Sequence, residues 1–168
     1  MANPQLHDPA MSVIVRPARA GDAPAVAEIW RTGWADGHLG HVPDELVAAR
    51  TDESFDERAA ARVSDTTVAE VAGTVAGFVM VVDDEVEQVY VARSHRGSDV
   101  AAILLREAER QVRSNGRSVA WLAVVAGNER ARRFYERLGW IDAGPFDYAA
   151  GGHAAPITVP AHRYERPL

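Results

Sequence analysis

The chain has 168 residues, 47% of them hydrophobic, a formal net charge of -6 and no cysteine. That length suits one domain with a substantial core, and the balanced composition excludes a disordered chain. No run approaches the ~20 apolar residues needed to span a bilayer, and the missing cysteines exclude disulfides, thiolate nucleophiles and cysteine-based metal sites.

Residues 1–11 hold prolines and polar groups without an apolar signal core. They are expected to be a tail ahead of a single domain over residues 12–168, in a cytoplasmic protein. Residues 12–16 read as a first strand ended by Pro17. Asp22 is placed to cap a helix whose Val26, Ile29, Trp30 and Trp34 form one apolar stripe. Gly33, Gly37 and Gly40 are expected to break that helix, and short helical pieces follow near 44–50 and 54–63. Valine-rich segments 67–72, 74–82 and 85–92, separated by Gly73 and by Asp83-Asp84, predict a meander of three strands.

After Gly97 the period becomes helical: Val100, Ile103, Leu104, Ala108 and Val112 share a face, and Asn115-Gly116 stops the helix. Residues 119–125 are a nearly continuous apolar run, as in a strand covered on both faces. Asn128 caps a last helix with Ala131, Phe134, Tyr135 and Leu138 on one side, ended by Gly139. Two final strands are predicted near 140–148 and 157–164, joined by AAGGHAAP. The order implies a single α/β domain built on a mixed sheet flanked by helices.

Every basic residue is an arginine, and they are unevenly placed. Residues 93–137 carry ten arginines against five acids, and the remainder eight against nineteen. The first region suits an anion and the rest suits a cation, while the acidic total argues against nucleic acid. Within the first region, VYVARSHRGSDVAAILL runs from a strand through an Arg-Gly turn straight into a helix. Such a turn aims free backbone N–H groups and the positive end of a helix dipole at one point, as a pyrophosphate requires. Glycine-bearing strand-to-helix turns are also common for purely structural reasons, and NERARRFYERLGW taken alone is a capped amphipathic helix.

Together and in this order, the two segments resemble the signatures of the GNAT superfamily of acyl-CoA-dependent N-acyltransferases. In that family a pyrophosphate loop has Arg or Gln, then Gly three places on, then Gly or Ala two further. Arg96, Asp99 and Ala101 stand at those positions, with an extra glycine at Gly97. The family's second signature is matched by Asn128, Ala131, Phe134-Tyr135 and Gly139-Trp140.

The resemblance implies a mostly antiparallel sheet, acetyl-CoA as the acyl donor, an amine as acceptor, and a homodimer as a family habit. It implies that backbone groups at Val89, Tyr90 and Val91 receive the pantetheine arm. Arg96, Gly97, Ser98, Asp99, Val100 and Ala101 would hold the pyrophosphate, Asn128 would touch the cofactor, and Tyr135 would protonate the departing thiolate. One departure is Asp99, a carboxylate where the family has glycine, and it is expected to turn outward and cap the helix.

An amine arriving as an ammonium must lose a proton before nitrogen attacks. Glu85 and Glu87, two apart on a strand, are expected to share a face with Val89 and Val91, where burial would raise a carboxylate's pKa. Either can be the base, with Glu85 the better fit to the family; both can also simply solvate an exposed sheet end. Trp30, Trp34 and His38, with His41 nearby, fall where the family builds its acceptor pocket. Aromatic walls with Asp36 and Asp44 around them would suit a cationic amine. No metal site is expected, and no membrane or nucleic-acid partner. Two other readings fit parts of the chain: a non-catalytic acyl-CoA-binding or regulatory module on the same fold, and a nucleotide-phosphate-binding protein.

Overall fold

The computed structural model describes residues 12–151 and 155–168. The proposed tail over 1–11 therefore lies outside the described residues. A seven-stranded sheet forms the middle layer, in the order β1-β2-β3-β4-β5-β7-β6. β1 (Val13–Pro17) pairs antiparallel with β2 (Thr66–Val71), which turns into β3 (Thr74–Val82). The two-residue turn puts Ala72 and Gly73 at φ 50° and 78°, the left-handed pair that matches strand twist in a tight hairpin.

β3 returns as β4 (Glu85–Val91), and β5 (Val119–Val125) runs parallel to β4. β7 (Ile157–Pro167) pairs with β5 and with the edge strand β6 (Ile141–Ala150). Both last strands run further than the sequence pattern suggests, because pairing continues to Ala150↔Ile157 at one end and Val119↔Pro167 at the other.

Helices cover both faces. α1 (Ala23–His38), α2 (Asp44–Ala49) and α3 (Asp52–Ala61) lie on one side, where Trp30, Trp34 and Phe55 pack with Phe78 and Met80. On the other side α4 (Val100–Ser114) and α5 (Glu129–Arg137) bury Leu104, Leu105 and Tyr135 against Val79, Leu122 and Tyr164. Strand alternation divides the two cores, with Phe78 and Met80 facing one way and Val79 the other.

Three local expectations change. Asp22 makes no side-chain cap of α1; its carboxylate is held by Arg16 at 2.8 and 3.0 Å and by the Arg19 amide, and two charge-assisted bonds outcompete a cap. Gly33 and Gly37 do not break α1, which runs through both. They serve close approach instead: a Cβ on Gly33 would stand 2.3 Å from the Tyr90 ring, and one on Gly37 2.9 Å from Asn128 Nδ2. α3 begins at Asp52 because the Thr51 hydroxyl accepts the Ser54 amide at 3.1 Å.

Candidate active site

Among the described residues β4 and β5 are the only parallel neighbours in the sheet, and they pair at a single register position, Glu85↔Trp121. Beyond it they diverge, so the β5-facing edge of β4 has no ladder partner over Val86–Val91. Unpaired strand groups must bond something, and an extended chain bearing amides fits such an edge. The opening is part of a cavity of about 850 Å³ that passes through the sheet.

At the α4–α5 end the cavity is lined by His95–Asp99, Ala101, Asn128, Arg130, Tyr135 and Arg137. Gly97 has φ 78°, a conformation that strains any side-chain-bearing residue, and it lets the backbone turn into α4. Asn128 caps α5, its Oδ1 accepting the Ala131 amide at 3.2 Å. Arg96 lines the cavity with its Nη2 2.7 Å from Asp36 Oδ2, and Arg93 donates to Asp36 Oδ1 at 2.9 Å. The two guanidiniums hold the Asp36 carboxyl below its usual range, Arg93 contributing first. Val100 belongs instead to the core under α4, 2% exposed and off the cavity wall, because it is the first apolar position of the α4 stripe.

Asp99 is exposed and makes no cap hydrogen bond. The Val100 amide turns to Ser98 Oγ at 3.5 Å. The expected capping role is therefore absent, and the carboxylate stays in water at the cavity rim. Screened by solvent, a charge pair at 4 Å is worth about 1 kcal/mol. Asp99→Asn is accordingly expected to tighten acetyl-CoA binding by about fivefold or less at low salt; calorimetry showing weaker binding would contradict this placement.

Tyr135 lies in the wall, 9% exposed, with its ring between Phe134, Trp140 and Tyr164. Burial pushes its hydroxyl pKa up, keeping the proton in place. Among the described residues that hydroxyl makes no hydrogen bond, so it is available to a ligand in the cavity.

The glutamates are arranged differently from the strand alternation. β4 pairs Met80↔Gln88 and then Val81↔Val86, skipping Glu87. Glu87 is thus the extra residue of a β-bulge, and alternation slips there. Val86, Val89 and Val91 pack toward α4, while Glu85 and Glu87 face the α1–α3 side. They share a face with each other but not with Val89 and Val91.

Glu87 lines the cavity, and both its oxygens are taken by Arg62, one through Nη1 and the other through Nη2 at 3.0 Å. Glu85 sits just off the wall and accepts the Tyr148 hydroxyl at 2.6 Å, and Tyr148 is itself a wall residue. Burial raises the Glu85 pKa, partly offset by the Tyr148 bond and reinforced by the Glu87 charge.

Trp30, Trp34 and His38 do line the α1–α3 end. The His38 ring stacks on Trp34 at 4.7 Å, and its Nδ1 is 2.9 Å from the Trp34 carbonyl. Since a carbonyl only accepts, Nδ1 carries the proton. Burial lowers the His38 pKa to about 4, which makes it a poor proton acceptor near neutrality. Of the two acids expected around the acceptor, Asp36 lines the cavity and Asp44 does not. Asp36 is committed to two arginines, and the wall also carries Arg50, Arg58 and Arg62. These arginines and Tyr148 were missed in sequence, although Arg58 and Arg62 stand three and seven residues after Phe55, on the buried stripe of α3. Among the described residues no cluster of His, Cys, Asp or Glu could hold a metal ion, and no helix is long and apolar enough to cross a membrane.

A parallel strand pair splayed around a cavity, with a glycine turn into a helix at one mouth, sets the site in a mixed α/β sheet. The acetyltransferase (GNAT) family model matches residues 24–140, and the chain belongs to that family. An uncharacterized N-acetyltransferase of Mycobacterium tuberculosis is 28% identical over 86 residues, which cover 48% of this chain. The match spans 55% of that relative's length, so the chain spans about half of the curated relatives it matches. A GCN5-related N-acetyltransferase from Rhodopseudomonas palustris superposes with a TM-score of 0.72 at 20% identity, over 94% of this chain and 98% of the other. The PaiA N-acetyltransferase of Thermoplasma acidophilum, solved in complex with coenzyme A, gives 0.71 at 18% identity, over 94% and 100%.

Proposed function

We propose that the protein moves an acetyl group from acetyl-CoA to an amine by direct transfer in a ternary complex. The observation that carries this reading is the cavity itself. It joins the Arg96–Ala101 loop and Tyr135 at one face of the sheet to a chamber lined by Glu87 and Tyr148 at the other, with Glu85 behind Tyr148. The pieces suit a CoA thioester: a glycine turn for the pyrophosphate, Arg130 and Arg137 for its charge, and an unpaired β4 edge for the amides of its arm.

The incoming ammonium gives its proton to Glu85, through the Tyr148 hydroxyl or a water. The freed nitrogen attacks the thioester carbonyl carbon, and backbone N–H groups at the end of β4 stabilise the charge that grows on its oxygen. Expulsion of sulfur and loss of the nitrogen's second proton to water complete the amide; Tyr135 donates its proton to the thiolate and takes one back from water. Tyr135→Phe is expected to lower kcat about tenfold to a hundredfold with little change in the KM for acetyl-CoA. The effect is bounded because a thiol of pKa near 8.5 leaves readily. An unaltered kcat would take Tyr135 out of the reaction.

Calorimetric titration with acetyl-CoA, with ATP as control, followed by thiol release against a panel of amines, tests the whole reading. Selective binding with thiol release supports it. Selective binding without turnover of any amine would favour the non-catalytic module, and equal binding of ATP would favour a nucleotide-phosphate protein.

A further inference from the structure

The chamber at the α1–α3 end has a charge pattern that the reaction alone does not require. Arg62 is satisfied by Glu87, and Arg50 donates to the Gly151 carbonyl at 2.6 Å. Arg58 is placed otherwise. Its guanidinium lies 4.2 Å above the Trp30 ring, and its Nη1 is buried without a hydrogen-bond partner. Among the described residues it has neither an ion pair nor a hydrogen bond. Stacking on Trp30 uses the face of the guanidinium, whereas its N–H donors lie in the plane. Burial, with Arg50 and Arg62 close by, lowers its pKa to about 10, so it stays charged near neutrality. Arg58 lines the cavity; Nη1 is sealed in the wall, so the rest of the guanidinium is what a ligand can meet, and an acceptor there would supply the hydrogen bonds the protein does not.

We propose that the acceptor is a small amine that also carries a carboxylate, and that Arg58 is the partner of that carboxylate. The inference rests on the acetyl-transfer reading and names the substrate class for the same site. The two ends of such a zwitterion match the chamber. Its oxyanion meets the planar fork of Arg58, and its ammonium meets Glu87 and the Tyr148–Glu85 pair. A polycationic amine has no such match, since Arg50, Arg58 and Arg62 share this end of the wall while Glu87 and Asp36 are each already paired with arginine. Trp34, 7% exposed, gives the chamber an apolar wall for the remainder of the molecule.

The test uses the full chain with matched triplets: an amino acid, its amide and its decarboxylated amine, for small, branched and aromatic side chains. Two signals are read on each. Binding to the CoA complex is followed by quenching of tryptophan fluorescence, since Trp30 and Trp34 line the chamber, and transfer is followed by thiol release from acetyl-CoA. At least one acid is expected to bind and to be acetylated with a kcat/KM about tenfold to a hundredfold above its amide and its amine. Arg58→Gln is expected to erase that preference by raising the KM for the acid while the acetyl-CoA Kd is unchanged. Arg58→Lys, which keeps charge without the fork, restores part of it.

Carboxyl-free amines that serve as well as the acids overturn the proposal, as does a preference that survives Arg58→Gln, or a panel in which no acid binds. If Arg58→Gln does not fold, the wild-type triplets and Arg58→Lys still decide the matter. Acids that bind without thiol release leave the carboxylate site standing and remove the transfer reading. Thiol release that favours carboxyl-free amines does the reverse.

Discussion

Glu85→Gln is expected to lower kcat by about a hundredfold to ten-thousandfold, the span of a positioned general base. The replacement keeps an oxygen that can accept the Tyr148 hydroxyl, now at 2.6 Å, so the loss reports on proton uptake rather than on packing. The pH profile gives the sharper reading. Burial raises the Glu85 pKa, so the acid limb of kcat in the wild-type protein is expected above the ordinary carboxylate range. The deficit of the variant is then largest on the alkaline side of that limb and narrows as pH falls, where Glu85 is protonated anyway.

Stability moves the other way. Between the unfolded pKa and the raised folded one, the native state holds more protons than the unfolded state. Stability therefore falls as pH rises through this window. At neutral pH the buried charge works against the fold, and Glu85→Gln is expected to be neutral or stabilising in thermal denaturation. Inactivity and retained stability together identify a base. Tyr148→Phe tests the relay: it is expected to lower kcat while leaving a limb, because the carboxyl remains. Should Glu87→Gln abolish the limb and Glu85→Gln leave it, the proton goes to the bulge residue, and the Arg62 pair must open to receive it.

Most of the element order was legible because it depends on local pattern: valine alternation for β2–β4, the change of period after Gly97, and the Asn128 cap. The face assignments were less so. A bulge inserts one residue without altering composition, so by alternation Glu85 and Glu87 pass as sharing a face with Val89 and Val91, when it is Val86 that lies on the side of those valines. Glycine posed a related problem. Sequence shows its backbone freedom, yet Gly33 is needed for its missing Cβ beside Tyr90, a contact between distant segments. Tyr148 on β6 reaches Glu85 on β4 although β5 and β7 lie between their strands, and no spacing along the chain encodes that meeting. Arg58 and Arg62 could have been noticed, since charged residues on an apolar helical stripe call for a partner. The donor end was clearer than the acceptor end for a physical reason: backbone turns and caps leave short motifs, whereas a chamber assembled from α1, α3, β4 and β6 leaves none.

Trp30→Ala is expected to cost about 3–5 kcal/mol, a large share of the ~5–15 kcal/mol that holds a domain together. Trp30 is fully buried and meets Phe55 at 5.9 Å and Phe78 at 5.8 Å, so it seats both α1 and α3 on the sheet. Its Nε1 has no hydrogen-bond partner, and the side chain therefore contributes as apolar volume with a wide ring face. For a chain of this size the loss corresponds to a Tm lower by about 6–20 °C, with the denaturant m-value unchanged if only the folded state is affected. Trp30→Phe retains most of the volume and is expected to cost far less. It shrinks the ring beneath Arg58, however, and indole is the strongest cation–π partner among the side chains. Stability and acceptor recognition should consequently separate in this pair of variants: Ala damages both, and Phe chiefly raises the acceptor KM. A Trp30→Ala protein that melts with the wild type would show that α1 and α3 are anchored elsewhere. A Trp30→Phe protein with a wild-type acceptor KM would show that the guanidinium is held in place by the helix alone.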